Sequence, residues 1–321
     1  MRAIAVNNEN KHSSNSMFID SRPLPELDCN SVLIKVKAAG INRADTLQRK
    51  GSYPPPPGVT DILGLEVSGV VESGPLPQNS RVMALVSGGG YAEYVSVPVE
   101  HCLPIPDNMD FIQAAAIPEN FLAAFMIMRP VLPNSSVLIH AAASGVGTAA
   151  IQLAKLRKCK VFATAGSDVK CEMAQKLGAS VAINYKTTNW KEVVLQSTNG
   201  IGVDTILDPV GSSHFEDNLA CSNIDSTLVL YGLLSGPKIN NGPHLGTILR
   251  KRITISGMTL RSRSVQYKAE LIREFSDVTK RHFEDGHIFP IIDSAFEFED
   301  VNLAHQKMEA NENIGKIVLK F

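Results

Sequence analysis

The stretch VLIHAAASGVGTAAIQLAKL, residues 137–156, constrains the fold of this 321-residue chain more than any other. It has the pattern of a buried apolar strand, a turn of small residues and a helix in immediate succession. Such a turn directs backbone amides and the positive end of the helix dipole at one point, where a pyrophosphate binds. Of the G-x-G-x-x-G positions Ala142, Ser144 and Gly147, only the last is glycine, with Gly145 added. A turn between a strand and a helix also needs small residues for packing alone. The surrounding sequence must therefore decide whether this turn binds a phosphate.

That context is an alternation of strands with helices, which is typical of βαβ units. Helices are predicted at Thr148–Arg157 and at Val169–Leu177, the second ending at Gly178 in the C-cap position. The predicted strands are SVLIHA, KVFATA, SVAINY, VDTILDPV, STLVLYG and RITISGM. Six such strands form a doubly wound parallel sheet of the Rossmann type, which binds its ligand at the end of the first strand. The pyrophosphate interpretation is therefore favoured.

Residues 31–106 have a different pattern, with short β-rich runs divided by glycine and proline, and they predict a compact β domain. Within it, the four successive prolines of GSYPPPPG exclude helix and central strand, so an exposed loop with Tyr53 at its base is expected. A helix pair broken near Pro118 follows. After the alternating region, a helix-rich piece leads to GKIVLKF, a strand predicted to return to a sheet already begun. Two domains of this size leave room for a cleft.

Composition and charge narrow the class of partner. The net charge of −1 gives no electrostatic footprint for nucleic acid or for an anionic membrane. No window approaches 18 consecutive apolar residues, so no membrane span is predicted. The five cysteines are scattered and include no C-x-x-C pair, and the first residues lack the apolar run of a signal peptide. We therefore expect reduced cysteines and a cytoplasmic location.

The end of the second strand, TAGSDVK, bears on which dinucleotide is bound. A carboxylate there would bind both ribose hydroxyls and favour NAD, whereas a 2′-phosphate needs small donors and a cation. Gly166 and Ser167 occupy the turn and Lys170 lies one helical turn later, which favours NADPH. Asp168 is the competing carboxylate, and we interpret it as the acid at the start of the next helix. Tyr185, at the end of the third strand, is a further candidate donor to the same phosphate.

Several segments together resemble a known family along nearly the whole chain. They are AGINRADTLQRKGSYPPPPG, ILGLEVSGVV, AAAIPENFLAAF, ASGVGTAAIQLAK, LYGLLSG, LRSRS and MEANENIGKIVL. In order and spacing they are similar to the medium-chain dehydrogenase/reductases, and within them to the zinc-free NADPH quinone oxidoreductases of the zeta-crystallin type, in the tumour-suppressor-inducible branch. The resemblance implies an α/β fold in which a GroES-like β-rich catalytic domain (1–120) is followed by a Rossmann NADPH-binding domain (121–261) and a return to the catalytic domain (262–321).

The resemblance also implies site residues. Its cofactor contacts carry over onto Asn42, Ser144, Gly145, Val146, Gly147, Gly166, Ser167, Lys170, Tyr185, Gly232, Leu233, Arg261 and Lys316. Tyr53 and Asn42 are the expected catalytic residues, and Tyr53 could act through its hydroxyl or by stacking against a flat ring. A tyrosine that only closes the proline loop is the alternative. Glu66 has two interpretations, a buried structural carboxylate paired with Arg43 or another cation, and a general base.

The expected chemistry needs no metal. Zinc alcohol dehydrogenases place a histidine in G-H-E, whereas this chain has Gly64-Leu65-Glu66, and leucine cannot bind zinc. Without a Lewis acid the acceptor must already be electrophilic, so a quinone that takes hydride, or electrons in steps, from NADPH is predicted. Two alternatives stay open: a 2-alkenal or enoyl double-bond reductase, and a catalytically weak dinucleotide-binding protein with a structural or RNA-binding role. An apolar edge strand near STLVLYG and ITISGM, together with the family resemblance, predicts a homodimer.

Overall fold

A computed structural model describes residues 1–13, 15–239 and 245–321 of the chain. It divides into two compact units, the first formed by Met1–Leu122 together with Leu260–Phe321 and the second by Ala123–Thr259. In chain order, the elements that begin in the first part are β1 (Arg2–Val6), β2 (Met17–Ser21), β3 (Ser31–Ile41), α1 (Arg43–Arg49), β4 (Glu66–Ser73), β5 (Arg81–Leu85), β6 (Tyr94–Pro98), β7 (Cys102–Pro104), α2 (Phe111–Ala114) and α3 (Pro118–Ile127).

The remaining elements complete the two units. In the second unit they are β8 (Ser136–Ile139), α4 (Gly145–Leu156), β9 (Lys160–Ala165), α5 (Asp168–Leu177), β10 (Val181–Asn184), α6 (Trp190–Ser197), β11 (Val203–Asp208), α7 (Phe215–Cys221), β12 (Ser222–Leu230), α8 (Leu245–Lys251) and β13 (Thr254–Gly257). The last part of the chain contains α9 (Val265–Glu284), β14 (Ile292–Glu297), α10 (Val301–Glu309) and β15 (Lys316–Lys320).

The first unit is built around a seven-stranded sheet in the order β14-β15-β3-β4-β5-β7, with β6 also paired to β3. In β3, Val32, Ile34 and Val36 enter the core while Lys35 between them is exposed, which is the alternation of a strand with one buried face. The final strand β15 runs antiparallel to β3, with Ile317 opposite Ile41. The prediction that the end of the chain returns to an existing sheet is thus confirmed.

The second unit contains a six-stranded parallel sheet in the order β10-β9-β8-β11-β12-β13. Numbered from β8 onwards, this is the doubly wound strand order 3-2-1-4-5-6. All six strands are parallel, and the side on which successive strands are added changes between β8 and β11. Its core includes Leu138, Phe162, Ile206 and Leu228, all fully buried. A β-rich unit together with a doubly wound α/β unit is the predicted fold class.

Most predicted elements are present, although some boundaries differ. Helix α4 begins at Gly145 rather than at Thr148, because the Ser144 side chain caps the earlier start by accepting a hydrogen bond from the Gly147 amide. Helix α5 ends before Gly178, which has the positive φ of 123° that favours glycine at this position. Throughout the described residues, no helix combines the length and the apolar character needed to cross a membrane.

Candidate active site

The turn after β8 is built to present backbone amides. Ala141 adopts a left-handed φ of 50°, uncommon for a residue with a side chain, and the Ala142 amide donates to Thr164 O of the neighbouring strand at 3.0 Å. A Cβ on Gly147 would collide with the carbonyl oxygens of Ala141 and Ala142, so only glycine fits the start of α4. Ser144 caps Gly147, whereas the amides of Gly145 and Val146 have no acceptor within the described ranges.

A second group of donors surrounds Gly166 at the end of β9. Ser167 caps α5, its side chain accepting from the Lys170 amide. A Cβ on Gly166 would lie 2.8 Å from the Tyr185 hydroxyl and 3.4 Å from Lys186 Cε, so the tyrosine and the lysine stem cover the glycine. Every residue of this group was predicted from the sequence except Lys186, whose only signal was its position directly after Tyr185.

Asp168 is the first residue of α5, as predicted, and its carboxylate is engaged. Asn184 Nδ2, at the end of β10, donates to Asp168 Oδ1 at 2.8 Å. The acid is thus held by the helix N-terminus and by a neighbouring amide. This arrangement weakens the case for Asp168 as a ligand of ribose hydroxyls.

Gly232 and Leu233 lie in the turn after β12, which packs on the turn after β11. The Leu234 amide donates to Pro209 O at 3.0 Å, and a Cβ on Gly232 would lie 2.8 Å from the same oxygen. Asp208 holds the β11 turn by accepting from the Val210 amide at 2.6 Å, and burial raises the pKa of its carboxyl to about 6. Leu233 is about half exposed.

The buried side chain of His140 connects these segments through hydrogen bonds. Its Nδ1 lies 2.8 Å from Thr164 Oγ1 and its Nε2 lies 2.8 Å from Asn218 Oδ1, while Asn218 Nδ2 donates to Asp208 Oδ2 at 2.9 Å. Burial lowers the pKa of the imidazole to about 3, so the ring is neutral and donates through Nε2. His140 is therefore a packed core histidine.

In the first unit, Asn42 and Lys316 meet around the carboxylate of Glu66. Asn42 Nδ2 donates to Glu66 Oε1 at 2.9 Å, Lys316 Nζ donates to Asn42 Oδ1 at 2.6 Å, and Lys316 forms an ion pair with Glu66. Glu66 is fully buried, and Lys316 is 2% exposed. The structural interpretation of Glu66 is therefore favoured over the general base. Its cation is Lys316, not Arg43, whose Nη2 donates instead to Met308 O.

Tyr53 and Arg261 form a second pair in this unit. Arg261 Cζ lies 5.3 Å from the centroid of the Tyr53 ring, a cation–π contact. The guanidinium is held by Ser87 O, 2.8 Å from Nε, and by Gln48 Oε1, 2.7 Å from Nη2. Its Nη1 is buried and has no partner in the described part of the chain, although Arg261 is only 5% exposed. A buried donor without an acceptor is costly and marks a place where a ligand atom is expected.

Two further ionisable residues were missed by the sequence argument. Lys268, 3% exposed, donates from Nζ to Ser87 Oγ at 2.7 Å and to Arg261 O at 2.8 Å, and burial lowers its pKa. Glu119 donates its backbone amide to Glu66 Oε2 at 2.9 Å, and burial together with the Glu66 charge raises the pKa of its own carboxyl to about 8. Lys268 carried no signal, because a lysine on an amphipathic helix is normally solvated.

The donor set around Glu66 does not fit a zinc ion. Leu65 occupies the core at 1% exposure, and the Glu66 carboxylate is neutralised by the Lys316 ammonium, which would repel a divalent cation. Among residues 1–13, 15–239 and 245–321, no group of three or more His, Cys, Asp or Glu side chains is arranged to hold a metal ion.

Two family descriptions match the chain. Residues 28–107 match the alcohol dehydrogenase GroES-like domain, and residues 145–277 match the family described as zinc-binding dehydrogenase. The chain is 32% identical over 324 residues to the synaptic vesicle membrane protein VAT-1 homolog of Mus musculus, covering 94% of this chain and 79% of that protein. The homolog of Danio rerio is also 32% identical, over 92% of this chain, which spans 65% of that longer protein.

Quinone oxidoreductases are similar along the full length. The protein of that name from Rattus norvegicus is 27% identical over 306 residues, covering 92% of this chain and 91% of its own. Among solved structures, the Escherichia coli quinone oxidoreductase complexed with NADPH superimposes with a TM-score of 0.89 at 26% identity, with all of both chains covered.

Proposed function

The chain belongs to the quinone oxidoreductase group of the medium-chain dehydrogenase/reductase superfamily, and we propose that it reduces quinones with NADPH and without a metal. NADPH supplies a hydride when it is bound. The observation that carries the proposal is the group of side chains around Gly166, where the capping Ser167, the Tyr185 hydroxyl and the Lys186 stem lie together while the adjacent carboxylate accepts from Asn184.

The second unit is suited to hold the dinucleotide. The unpaired amides of Gly145 and Val146, at the positive end of α4, would bind the pyrophosphate. Ser167, Lys170 and Tyr185, with Lys186, would bind the 2′-phosphate through charge-assisted hydrogen bonds. The Gly232–Leu233 turn offers backbone groups to the rest of the cofactor. These roles agree with the tight packing at Gly147 and Gly166, where an added Cβ would meet neighbouring atoms.

The first unit is suited to hold the acceptor. The Tyr53 ring, with Arg261 over one face, offers a flat apolar surface for a quinone, and the unpaired Arg261 Nη1 offers a donor for a carbonyl oxygen. Asn42 and Lys316 are proposed as positioning residues, since both side chains are already engaged with Glu66. No Lewis acid is needed for an acceptor that delocalises negative charge onto oxygen, so the lack of a metal-binding group among the described residues is compatible with this chemistry.

A 2-alkenal or enoyl double-bond reductase is the second candidate. The half-buried Glu119 is compatible with it, since reduction of a conjugated double bond, like reduction of a quinone, requires a proton as well as a hydride. Both reactions draw on the same cofactor, so the choice of acceptor separates them.

We also propose that the protein is a cytoplasmic homodimer. Strand β13 is the edge of the parallel sheet, and Thr254, Ile255 and Gly257 in it are exposed. An edge of this kind presents unpaired backbone groups to a second copy, and pairing about a two-fold axis would cover it.

Oxidation of NADPH by the purified chain, followed by absorbance with several ortho- and para-quinones and with 2-alkenals, tests the function. We expect turnover with quinones and a preference for NADPH over NADH. Turnover confined to 2-alkenals would support the second candidate. NADPH binding without turnover, together with salt-sensitive RNA binding, would support the structural or RNA-binding alternative.

A further inference from the structure

The carboxyl of Glu119 lies in a cluster of buried charged groups, most of which are paired with one another. Glu66 beside it accepts from Asn42, Lys316 and the Glu119 amide and is fully buried, so it is not accessible to a bound molecule. In the described part of the chain the Glu119 carboxyl makes no hydrogen bond and no ion pair. It is half-buried, so one face remains accessible to a bound molecule.

Residues from distant segments converge on this carboxyl. Tyr53, from the proline loop, and Arg261, from the segment before α9, both interact with it electrostatically, and so does Lys268 from α9. The unpaired Arg261 Nη1 lies in the same group. An unpaired acid and an unpaired cationic donor therefore both interact with Tyr53, the donor by lying over its ring and the acid through its charge, and a ligand atom is expected to satisfy them.

We propose that Glu119 is the catalytic acid that delivers a proton to the reduced acceptor beside Tyr53. This inference rests on the proposed function, since it supplies the second half of the same reaction. The hydride adds two electrons to the acceptor, the O–H bond of the Glu119 carboxyl breaks, and a new O–H bond forms on the acceptor oxygen. The resulting carboxylate is stabilised by Arg261 and Lys268, and water returns the proton after the product leaves.

The charged groups that face Glu119 are consistent with this role. The Glu66 and Asp45 carboxylates raise its pKa while Lys316 and Lys268 lower it, and burial is the largest contribution, so the pKa of Glu119 is about 8. Glu119 is therefore mostly protonated at neutral pH, and its pKa lies close enough to that pH for proton transfer. Tyr53 is the poorer acid, because burial raises the pKa of its phenol above the usual value.

The test compares wild type with Glu119→Gln, Glu119→Asp and the control Glu72→Gln, which alters an exposed carboxylate on β4. With an ordinary quinone, kcat of Glu119→Gln should fall by about 100-fold or more while the Kd for NADPH is unchanged. The wild-type kcat should decline as pH rises through about 8, because Glu119 loses its proton, and this decline should be absent in Glu119→Gln. Glu119→Asp should recover part of the rate, and Glu72→Gln should match wild type.

A halogenated quinone separates proton delivery from positioning. Its hydroquinone is acidic enough to leave as an anion, so the deficit of Glu119→Gln should shrink to about threefold or less. An equal deficit with both quinones, or unaltered kcat and pH profile in Glu119→Gln, would overturn the inference.

Infrared difference spectra of wild type minus Glu119→Gln at neutral pH provide a readout without turnover. A protonated-carboxyl band is expected, and its absence would overturn the inference even in an active enzyme. If wild type shows the band but oxidises no NADPH with any quinone, the proposed function is wrong, and so is the inference for quinones. Turnover of 2-alkenals would instead support Glu119 as the acid of that reaction.

Discussion

Asn184 Nδ2 donates to Asp168 Oδ1 at 2.8 Å, so the one carboxylate at the end of β9 is already bound when a cofactor arrives. Beside it lie Ser167, the Tyr185 hydroxyl and the Lys186 stem, which are groups of the kind that bind a phosphate. We therefore expect the preference between the two nicotinamide dinucleotides to depend on a contact between β10 and the start of α5, and not on the turn alone.

The first prediction concerns cofactor preference. Lys170→Ala should reduce the ratio of NADPH to NADH affinity by roughly 10- to 100-fold, because a charged hydrogen bond to the 2′-phosphate contributes about 1.5–3 kcal/mol. Kd values measured by quenching of protein fluorescence check this. Lys176→Ala, an exposed lysine on the same helix, is the control and should leave the ratio unchanged. NADH binding as tight as NADPH binding in wild type would reassign Asp168 as a ribose ligand.

The second prediction concerns the close fit of Gly147. Gly147→Ala should destabilise the fold by about 1–3 kcal/mol and weaken NADPH binding, because the added methyl group meets the carbonyl oxygens of Ala141 and Ala142, which cannot move away. Urea unfolding and NADPH titration measure the two effects. Gly257→Ala is the matched control, since its Cβ would meet nothing within 4 Å. Equal behaviour of the two variants would contradict the assigned role of this turn.

The third prediction separates the ring of Tyr53 from its hydroxyl. Tyr53→Phe should keep kcat within about threefold of wild type, because the phenol is not the proton donor. Tyr53→Ala should raise KM for the quinone by about tenfold, since the surface under Arg261 is lost, a contact of about 1–2 kcal/mol. Steady-state kinetics with one quinone decide the matter. A large loss of kcat in Tyr53→Phe would instead identify the hydroxyl as the acid.

The fourth prediction concerns the acid sensitivity of the second unit. The pKa of His140 is about 3 in the folded protein, against about 6.5 in an unfolded chain, so only the unfolded state gains a proton between these values. Stability is therefore lost as pH falls below about 6.5. Relative to wild type, His140→Gln should reduce the stability lost between pH 7 and pH 5 by about 2 kcal/mol.

Urea unfolding at the two pH values measures this difference. Glutamine retains one acceptor and one donor, and so can replace the contacts of His140 with Thr164 and Asn218. His12→Gln, at an exposed position, is the control. An unaltered pH dependence in His140→Gln would show that another group accounts for the loss.

The fifth prediction concerns assembly. If β13 pairs with a second copy, Ile255→Lys should convert the dimer to a monomer, because a charge on an edge strand opposes pairing. Light scattering coupled to size exclusion gives the mass. Leu132→Lys, a comparable change at a residue that is 68% exposed, should not alter it. A wild-type chain that is already monomeric would refute the proposed dimer.

The order of helices and strands could be predicted because local sequence patterns specify it. The apolar runs of β8 to β13 alternate with helical periods, and Ser144 and Gly178 mark helix ends through contacts within a few residues. The close fit of Gly147 was also predictable, since a glycine at that spacing has a specific steric reason. The sequence by itself therefore determined the fold class, the position of the small-residue turn between β8 and α4 and the small residues at the end of β9.

Only the tertiary structure decided which charged groups are paired and which are available. Lys316 neutralises Glu66 across 250 positions of sequence, and Lys268 is buried although its helix is amphipathic. Glu119 is left unpaired by the same packing, and its acidity follows from burial and from carboxylates that lie far from it in the chain. The reason is physical: the free energy of a charge depends on its solvation and on its neighbours in space, and local sequence specifies neither.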